Sequence, residues 1–222
     1  MHLLSRTKFR YRLPFYKRIF DMAMATLFLL LAAPLLLVIA IAIKTEGKGA
    51  IIYRARRVGA NQQIFTLYKF RTMYQGSELL LKDMLHLNMY RTAYELDSLA
   101  VFVKFDNDWR VTRTGRFLRR THLDELPQLF NVLKGEMSII GNRPLATYEA
   151  EKLVARKEFK RFLAPAGITG LWQIRQHRKE KISAAQRIAL DNRYAAEQSF
   201  GYDCAILLET MFVLLVNIFK RP

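Results

Sequence analysis

Cysteine is nearly missing from this chain of 222 residues, whose one cysteine is Cys204. A single cysteine cannot form an intramolecular disulfide, so a secreted domain built on a disulfide framework is excluded and the reducing cytosol is indicated. Because Cys204 stands in an apolar stretch, we expect a small buried side chain there. Internal repeats and low-complexity linkers are missing as well, and the length suits one sizeable domain rather than two.

Acidic residues are scarce relative to basic ones. The chain has 19 Asp and Glu against 36 Lys and Arg, which gives a formal net charge of +17. Such a surface attracts anions, whether nucleic acid, anionic lipid or phosphorylated ligands. Hydrophobic residues make up 51% of the chain and are unevenly placed. A membrane surface therefore explains the charge better than nucleic acid, for which the sequence has no recognisable basic and aromatic binding motif.

Charged residues are absent from Met22 to Ile43, a stretch long enough to cross a bilayer as a helix. Pro34, near its middle, removes one helical hydrogen bond and clashes with the carbonyl of Leu30. Basic residues crowd both flanks, and the positive-inside rule places both flanks in the cytosol. We therefore predict a re-entrant helix that breaks at Pro34 and returns to the same face, with a kinked spanning helix as the alternative. The flanking residues are Arg6, Lys8, Arg10, Arg12, Lys17 and Arg18 before the stretch and Lys44, Lys48, Arg54, Arg56 and Arg57 after it.

The rest of the chain predicts an α-rich α+β domain. Two apolar segments, 51–53 and 64–68, flank the turn-forming residues 58–61, which predicts a small β-hairpin close to the membrane. Apolar residues among charges predict an amphipathic helix over residues 76–96. We divide the chain into a basic N-terminus with the membrane helix, residues 1–48, and a cytosolic domain with membrane-surface helices, residues 49–222.

Three further helices are expected towards the C-terminus. Pro144 can begin a helix that runs to about Leu163. Ser183, with Gln186 three residues later, has the form of a capping box and predicts a helix through Ala196. The apolar stretch 204–219 is expected as a helix on the bilayer surface or packed on the membrane helix, rather than as a second span.

Two adjacent carboxylates, Asp124 and Glu125, stand between an arginine pair and apolar residues at helical spacing. Thr121 and Asp124 have the form of a capping box, and Pro127 is tolerated near a helix start. A helix N-terminus and nearby arginines favour ionised carboxylates, as a nucleophile or a ligand for a hard cation requires. These residues alone leave a second interpretation open, in which Asp124 caps the helix and Glu125 pairs with arginine.

The amino-acid sequence of this segment resembles the signature of the bacterial sugar transferases, the monotopic polyprenyl-phosphate phosphoglycosyl transferases. Residues 124–129 read Asp-Glu-Leu-Pro-Gln-Leu, and Asn-Val, Gly, Met-Ser and a Gly-x-Arg-Pro loop follow in family order. The segments 69–73, 113–119 and 167–173 are similar to other family motifs in the same order. The resemblance runs from about Arg18 to Phe219, and it implies the re-entrant arrangement of the first helix.

The resemblance implies an enzyme of the bacterial inner membrane, acting at the cytosolic face. Its reaction moves a phosphosugar from a UDP-sugar to polyprenyl (undecaprenyl) phosphate and releases UMP, the first membrane step in making a surface glycoconjugate or polysaccharide. Asp124 would be the nucleophile and form a covalent aspartyl-phosphosugar intermediate. Glu125, with Asp124 beside it, would bind Mg²⁺. The expected partners are the UDP-sugar, polyprenyl phosphate and membrane lipids, and not nucleic acid.

The resemblance also implies a set of phosphate-binding cations: Lys69, Arg71, Arg119, Arg143 and Arg178. Arg178 is chosen ahead of Arg175, since the family's Asn-Gly-Arg is replaced here and neither arginine aligns cleanly. The family's proline before Arg143 is Asn142 here, so a less rigid turn is expected. His122 and His177 are interpreted as incidental.

A non-catalytic, basic, membrane-associated scaffold is the competing class of protein. Such a scaffold would explain the charge and the apolar stretch. It would not require Asp124 and Glu125 next to a helix start.

Overall fold

The computed structural model describes residues 11–77, 108–178, 180 and 182–219. Within these ranges the chain is mostly helical, with a three-stranded antiparallel sheet and a two-stranded parallel sheet. The α-rich α+β class is therefore confirmed. The amphipathic helix predicted over residues 76–96 lies outside the described residues except for its first two positions.

In chain order the helices are α1 (Phe15–Glu46), α2 (Arg113–Thr121), α3 (Gln128–Lys134), α4 (Thr147–Ala155), α5 (Leu171–His177), α6 (Ala184–Glu197) and α7 (Phe200–Phe219). The strands are β1 (Ile52–Val58), β2 (Ile64–Phe70), β3 (Ser138–Ile140), β4 (Leu145–Ala146) and β5 (Gly167–Thr169). Short 3₁₀ turns occupy Ala60–Gln62, Leu123–Glu125 and Lys160–Leu163.

The predicted hairpin is confirmed, and its first strand is longer than expected. β1 pairs antiparallel with β2, with Ile52 opposite Phe70 and Val58 opposite Ile64. The connecting turn needs the left-handed backbone that asparagine tolerates, and Asn61 has a φ of 51°. β4 pairs with the other side of β1. The hairpin thereby carries β2, whose end supplies Lys69 to the site described below.

The apolar N-terminal segment forms one helix, α1, which continues through Pro34, so the break predicted at that residue is wrong. A proline removes one backbone hydrogen bond, and a long apolar helix can tolerate that loss. Both of its ends pack on the same domain. Ala25 belongs to the main core together with residues of β2, α3, β3, α6 and α7. Ile39 and Ile43 pack against Phe70 and Leu118.

Between these two contacts α1 presents an apolar surface to the outside. Leu30 and Leu31 are each 70% exposed. They lie just before Pro34, in the middle of the helix. The exposed apolar surface also continues after Pro34, where Leu37 and Val38 are more than half exposed.

Polar bonds also fasten α1 at each end. Lys17 forms an ion pair of 2.6 Å with Asp203 of α7, and both side chains are buried. Arg18 donates to the carbonyls of Val132 and Leu133, at the C-terminal end of α3. At the other end, the Glu46 carboxylate accepts from the backbone N–H of Thr114. The rest of the domain therefore binds α1 before and after its exposed middle.

α7 is a single apolar helix that begins before Cys204. By length and composition, both α1 and the segment Phe200–Asn217 could cross a membrane. One side of α7 nevertheless belongs to the core through Ile206 and Val213. Its first turn packs on α1, where the Phe200 ring meets Tyr16 and Phe20 edge to face. Packing on α1 was one of the two predicted arrangements. Cys204 is half-buried rather than buried, which corrects that expectation.

Two predicted helix starts have opposite outcomes. The capping box of α6 is confirmed, because Ser183 Oγ accepts from the Gln186 N–H and the Gln186 side chain accepts from the Ser183 N–H. The helix predicted from Pro144 to Leu163 is wrong at both ends. Residues 145–146 pair with β1 as β4, and the helix covers only Thr147–Ala155.

Candidate active site

The two adjacent carboxylates lie in a tight turn between α2 and α3. His122 has a φ of 60° and ends α2, and the 3₁₀ turn Leu123–Glu125 follows. α3 begins at Gln128 after Pro127, so a helix does start close behind the carboxylates. The Thr121 capping box is wrong, because Thr121 is the last residue of α2 and its hydroxyl donates to the Phe117 carbonyl.

Cations from separate parts of the chain surround this turn. Lys69 Nζ lies 2.5 Å from Glu125 Oε1 and 3.9 Å from Asp124 Oδ2. Arg143 Nη1 lies 3.4 Å from the same Glu125 oxygen. Arg119 donates from Nε to Thr72 Oγ1 at 2.9 Å, and its charge acts on Asp124. In the part of the chain that the structure describes, Lys69 and Arg143 are the cations within ion-pair distance of the two carboxylates.

The two carboxylates respond differently to this environment. Burial raises the pKa of Asp124, and the nearby charge of Glu125 acts in the same direction, although Lys69 and Arg119 oppose them. Burial would also raise the pKa of Glu125, but Lys69 and Arg143 outweigh it and lower that pKa to about 2. Glu125 is thus firmly ionised. The prediction that the local fields favour ionisation is correct for Glu125, whereas for Asp124 desolvation acts against it.

Arg143 is held in place by the loop that carries it. Gly141 packs against Gly167 so closely that a Cβ on Gly167 would lie 2.1 Å from the Gly141 nitrogen. Asn142 donates from Nδ2 to the carbonyls of Arg161 and Asp191. The turn expected to be less rigid is therefore fixed by the asparagine side chain. Arg161 in turn donates to the Arg143 carbonyl at 2.7 Å.

An aromatic ring and two histidines complete the surroundings. The Arg143 guanidinium lies over the Trp172 ring, 5.8 Å from its centre. The rings of His122 and His177 meet edge to face at 4.4 Å. Burial and the neighbouring His122 lower the pKa of His177 to about 4, so this ring is neutral at neutral pH.

Sequence reasoning set both histidines aside, yet the structure brings them to the edge of the site. The position of His122 two residues before Asp124 was a usable signal. His177 had none, because it reaches the site only through the tertiary fold. The same is true of the stacking of Trp172 on Arg143.

The structure does not bring all the predicted phosphate-binding residues together. Arg71 donates to the carbonyls of Ile43, Gly47 and Lys48 and so caps the C-terminal end of α1. Arg178 pairs with Glu209 of α7 at 2.6 Å. Arg175, the second choice, pairs with Glu180. Lys69, Arg119 and Arg143 thus surround the carboxylates, and Arg71 and Arg178 bind elsewhere.

The donor atoms of this site fit Mg²⁺. Asp124 and Glu125 supply hard oxygen ligands, and Glu125 is ionised. Among the described residues, no group of three or more His, Cys, Asp or Glu side chains could hold a metal by itself. Substrate phosphates and water would have to complete the coordination, which is the usual arrangement for Mg²⁺.

Taken together, the fold and the site define a small α+β domain with an exposed apolar helix and a carboxylate pair enclosed by cations. The chain matches the family described as Bacterial sugar transferase over residues 12–217. It is 39% identical over 195 residues to the exopolysaccharide production protein ExoY of Rhizobium meliloti, covering 88% of this chain and 83% of that protein. The chain belongs to the bacterial sugar transferase family.

Longer relatives match as well. An undecaprenyl-phosphate galactose phosphotransferase of Salmonella typhimurium is 38% identical over 202 residues, which cover 90% of this chain and 40% of that protein. A UDP-glucose:undecaprenyl-phosphate glucose-1-phosphate transferase of Klebsiella pneumoniae is 37% identical over 207 residues, with 91% and 40% covered. The chain therefore spans about two fifths of the length of these longer relatives.

Proposed function

We propose that this chain transfers a phosphosugar from a UDP-sugar to polyprenyl phosphate and releases UMP. The observation that carries the proposal is the carboxylate pair Asp124 and Glu125, which lies among three cations. These cations are Lys69, Arg119 and Arg143. The same domain binds both ends of an apolar helix. A diphosphate donor and a lipid phosphate are both anionic, and a site with excess positive charge suits both. The names of the relatives from Salmonella and Klebsiella describe transfers of this type.

In the first half-reaction, an Asp124 carboxylate oxygen attacks the phosphorus that bears the sugar. The bond from that phosphorus to the UMP oxygen breaks, and UMP leaves with the electron pair. A covalent aspartyl-phosphosugar remains on Asp124. Arg143 and Lys69, which lie beside Glu125, would stabilise the charge that develops on the phosphate oxygens.

In the second half-reaction, a phosphate oxygen of polyprenyl phosphate attacks the same phosphorus. The bond from phosphorus to Asp124 breaks, which regenerates the carboxylate and forms a polyprenyl diphosphate-linked sugar. Two displacements at one phosphorus make the kinetics ping-pong. When bound at Glu125 and Asp124, Mg²⁺ would neutralise phosphate charge.

α1 would be re-entrant, with both ends on the cytosolic face of the bacterial inner membrane. The support is that one domain binds both ends of the helix, through Lys17 and Arg18 at the start and Glu46 at the end. A helix that crossed the bilayer would carry one of these ends away from the domain. Cysteines placed at Arg12 and at Lys44, in a Cys204→Ser background, should both resist an impermeant thiol reagent added to intact cells. Labelling of either position from outside would show a spanning helix instead.

The activity itself is tested with purified protein, a UDP-sugar and undecaprenyl phosphate in detergent. UMP release that depends on both substrates is expected. With the UDP-sugar alone, intact mass should increase by one phosphosugar, and hydroxylamine should remove it. Protein that forms neither UMP nor an adduct with any of a panel of UDP-sugars would indicate the scaffold instead.

A further inference from the structure

A cavity of about 270 Å³ separates the last turn of α1 from the chain that follows β2. Its lining includes Ile43, Gly47, Lys48, Arg71, Met73 and Tyr74. The volume is just below the usual range for ligand sites, so the cavity suits the end of a long molecule better than the whole of it. One wall belongs to the helix that carries the exposed apolar surface.

The lining combines apolar and positively charged groups. The guanidinium of Arg71 donates to three backbone carbonyls, which bear no formal charge, so the cavity keeps the positive charge of that group. Lys48 is exposed at the rim. Among the described residues, the one carboxylate in the lining is Glu46, whose two oxygens share the Thr114 N–H in the first turn of α2. Ile43, Met73 and Tyr74 provide the apolar part.

The cavity is also next to the catalytic cations. Arg71 follows Lys69 by two residues, a separation of at most about 7 Å between their Cα atoms. Thr72, between the lining residues Arg71 and Met73, accepts the hydrogen bond of Arg119. The cavity thus adjoins both the end of the apolar helix and the segment 71–73, which follows Lys69 and contains the hydrogen-bond partner of Arg119.

We propose that this cavity receives the phosphate-bearing end of the polyprenyl phosphate acceptor. This inference rests on the proposed function. Lys48 attracts the phosphate at the rim, Ile43, Met73 and Tyr74 contact the first isoprene units, and the rest of the lipid follows the apolar side of α1 into the bilayer. The UDP-sugar binds on the Arg143 side, so that each substrate reaches Asp124 from its own direction.

Because the proposed reaction has two halves, the two substrates can be tested separately. The adduct is first formed with the UDP-sugar alone, and undecaprenyl phosphate is then added while loss of the adduct is followed by intact mass. For Lys48→Gln we expect unchanged adduct formation and an about tenfold higher half-saturating concentration of acceptor, the size of one lost charge-assisted contact. The matched control is Lys44→Gln, which removes an exposed lysine of the same helix end outside the cavity.

A second variant adds a bulky side chain to the cavity wall without straining the backbone. Gly47 has an extended φ of 172°, and a Cβ there meets nothing within 4 Å. Gly47→Phe should therefore fold, form the adduct normally and pass it slowly to the acceptor. Gly201→Phe is the control, since Gly201 is equally open but lies in α7.

Normal acceptor kinetics in both Lys48→Gln and Gly47→Phe would overturn this inference while leaving the proposed function intact. A wild-type protein that forms no adduct would instead defeat the proposed function. A slow transfer that occurs equally in the Lys44→Gln and Gly201→Phe controls would also contradict the assignment of the cavity.

Discussion

The buried carboxylate Asp203, beneath α1, and the two carboxylates of the turn Leu123–Glu125 have their charge balanced in different ways. Asp203 is matched by its neighbours, with Lys17 at 2.6 Å from one oxygen and the Tyr194 hydroxyl donating to the other at 2.7 Å. Asp124 and Glu125 instead share Lys69, with Arg143 and Arg119 beside them. Among the described residues, two carboxylates therefore face three cations, which leaves a net positive charge in the turn.

The two regions also differ in solvent exposure: the Asp203 pair is buried, and the turn that carries Asp124 and Glu125 is more open. The side chains of Lys17 and Asp203 are each 4% exposed, whereas those of Glu125 and Arg143 are 16% and 35% exposed. Because the ion pair of Lys17 and Asp203 is buried and its charges balance, its role is to hold α1 and α7 together. An open site with excess positive charge can admit an anionic ligand. This contrast separates Asp203 from the two acids for which we propose a catalytic role.

The largest expected effect comes from Asp124→Asn, which keeps the size of the side chain and removes its nucleophilic charge. Turnover should fall by at least about 10³-fold, and the covalent adduct should be lost, because no other group of the turn is proposed to accept the phosphosugar. UMP release and intact mass measure both effects. The thermal midpoint should not fall, since Asp124 is not in a matched structural pair. An adduct that still forms in this variant would reassign the nucleophile.

Lys17→Met should have the opposite profile, a loss of stability. It leaves the buried Asp203 carboxylate without its cation, which costs roughly 3–5 kcal/mol in comparable buried pairs. Thermal unfolding in detergent should show a clear fall in midpoint. The double variant Lys17→Met with Asp203→Leu is the control, because replacing both partners removes the unpaired charge and should recover most of the loss. A double variant as unstable as the single one would mean that the ion pair is not the cause.

Local sequence rules predicted the parts of this fold that depend on neighbouring residues. The hairpin and the capped start of α6 were of this kind, since turn residues and the Ser183–Gln186 box act within a few positions. The segment that carries Asp124 and Glu125 was also located from its sequence motif. The local backbone of this segment was not predicted. We expected a helix to start at the carboxylates, but His122 adopts a left-handed conformation that ends α2 and is followed by a 3₁₀ turn.

Tertiary contacts decided the rest, and the sequence does not show them. Arg71 and Arg178 have the residue type expected for phosphate binding, but α1 carbonyls and Glu209 bind them. Asn142 replaces a proline and yet fixes its turn through two long-range hydrogen bonds. In each case the partner lies far away in the chain, so only the fold could assign it.

Glu125→Gln should have an intermediate effect. The change removes the charge that Lys69 and Arg143 stabilise but keeps one carbonyl oxygen. We expect turnover to drop about 10- to 100-fold, the size of effect seen when a metal site is weakened. If weaker Mg²⁺ binding is the cause, raising the Mg²⁺ concentration should reduce the defect. EDTA should abolish wild-type turnover, and Mg²⁺ should restore it. Full activity in EDTA would remove the metal role of Glu125.

The smallest expected effect distinguishes two arginines that the sequence treated alike. Arg143→Gln removes a cation beside Glu125, so the KM for the UDP-sugar should rise about tenfold. Arg178→Gln breaks an ion pair whose two side chains are 41% and 39% exposed, and such pairs contribute little. Its KM should change less than about twofold, within the range of a surface pair. Initial rates of UMP release against UDP-sugar concentration measure both variants. An equal rise in KM for both would place Arg178 at the donor, contrary to its contact with Glu209.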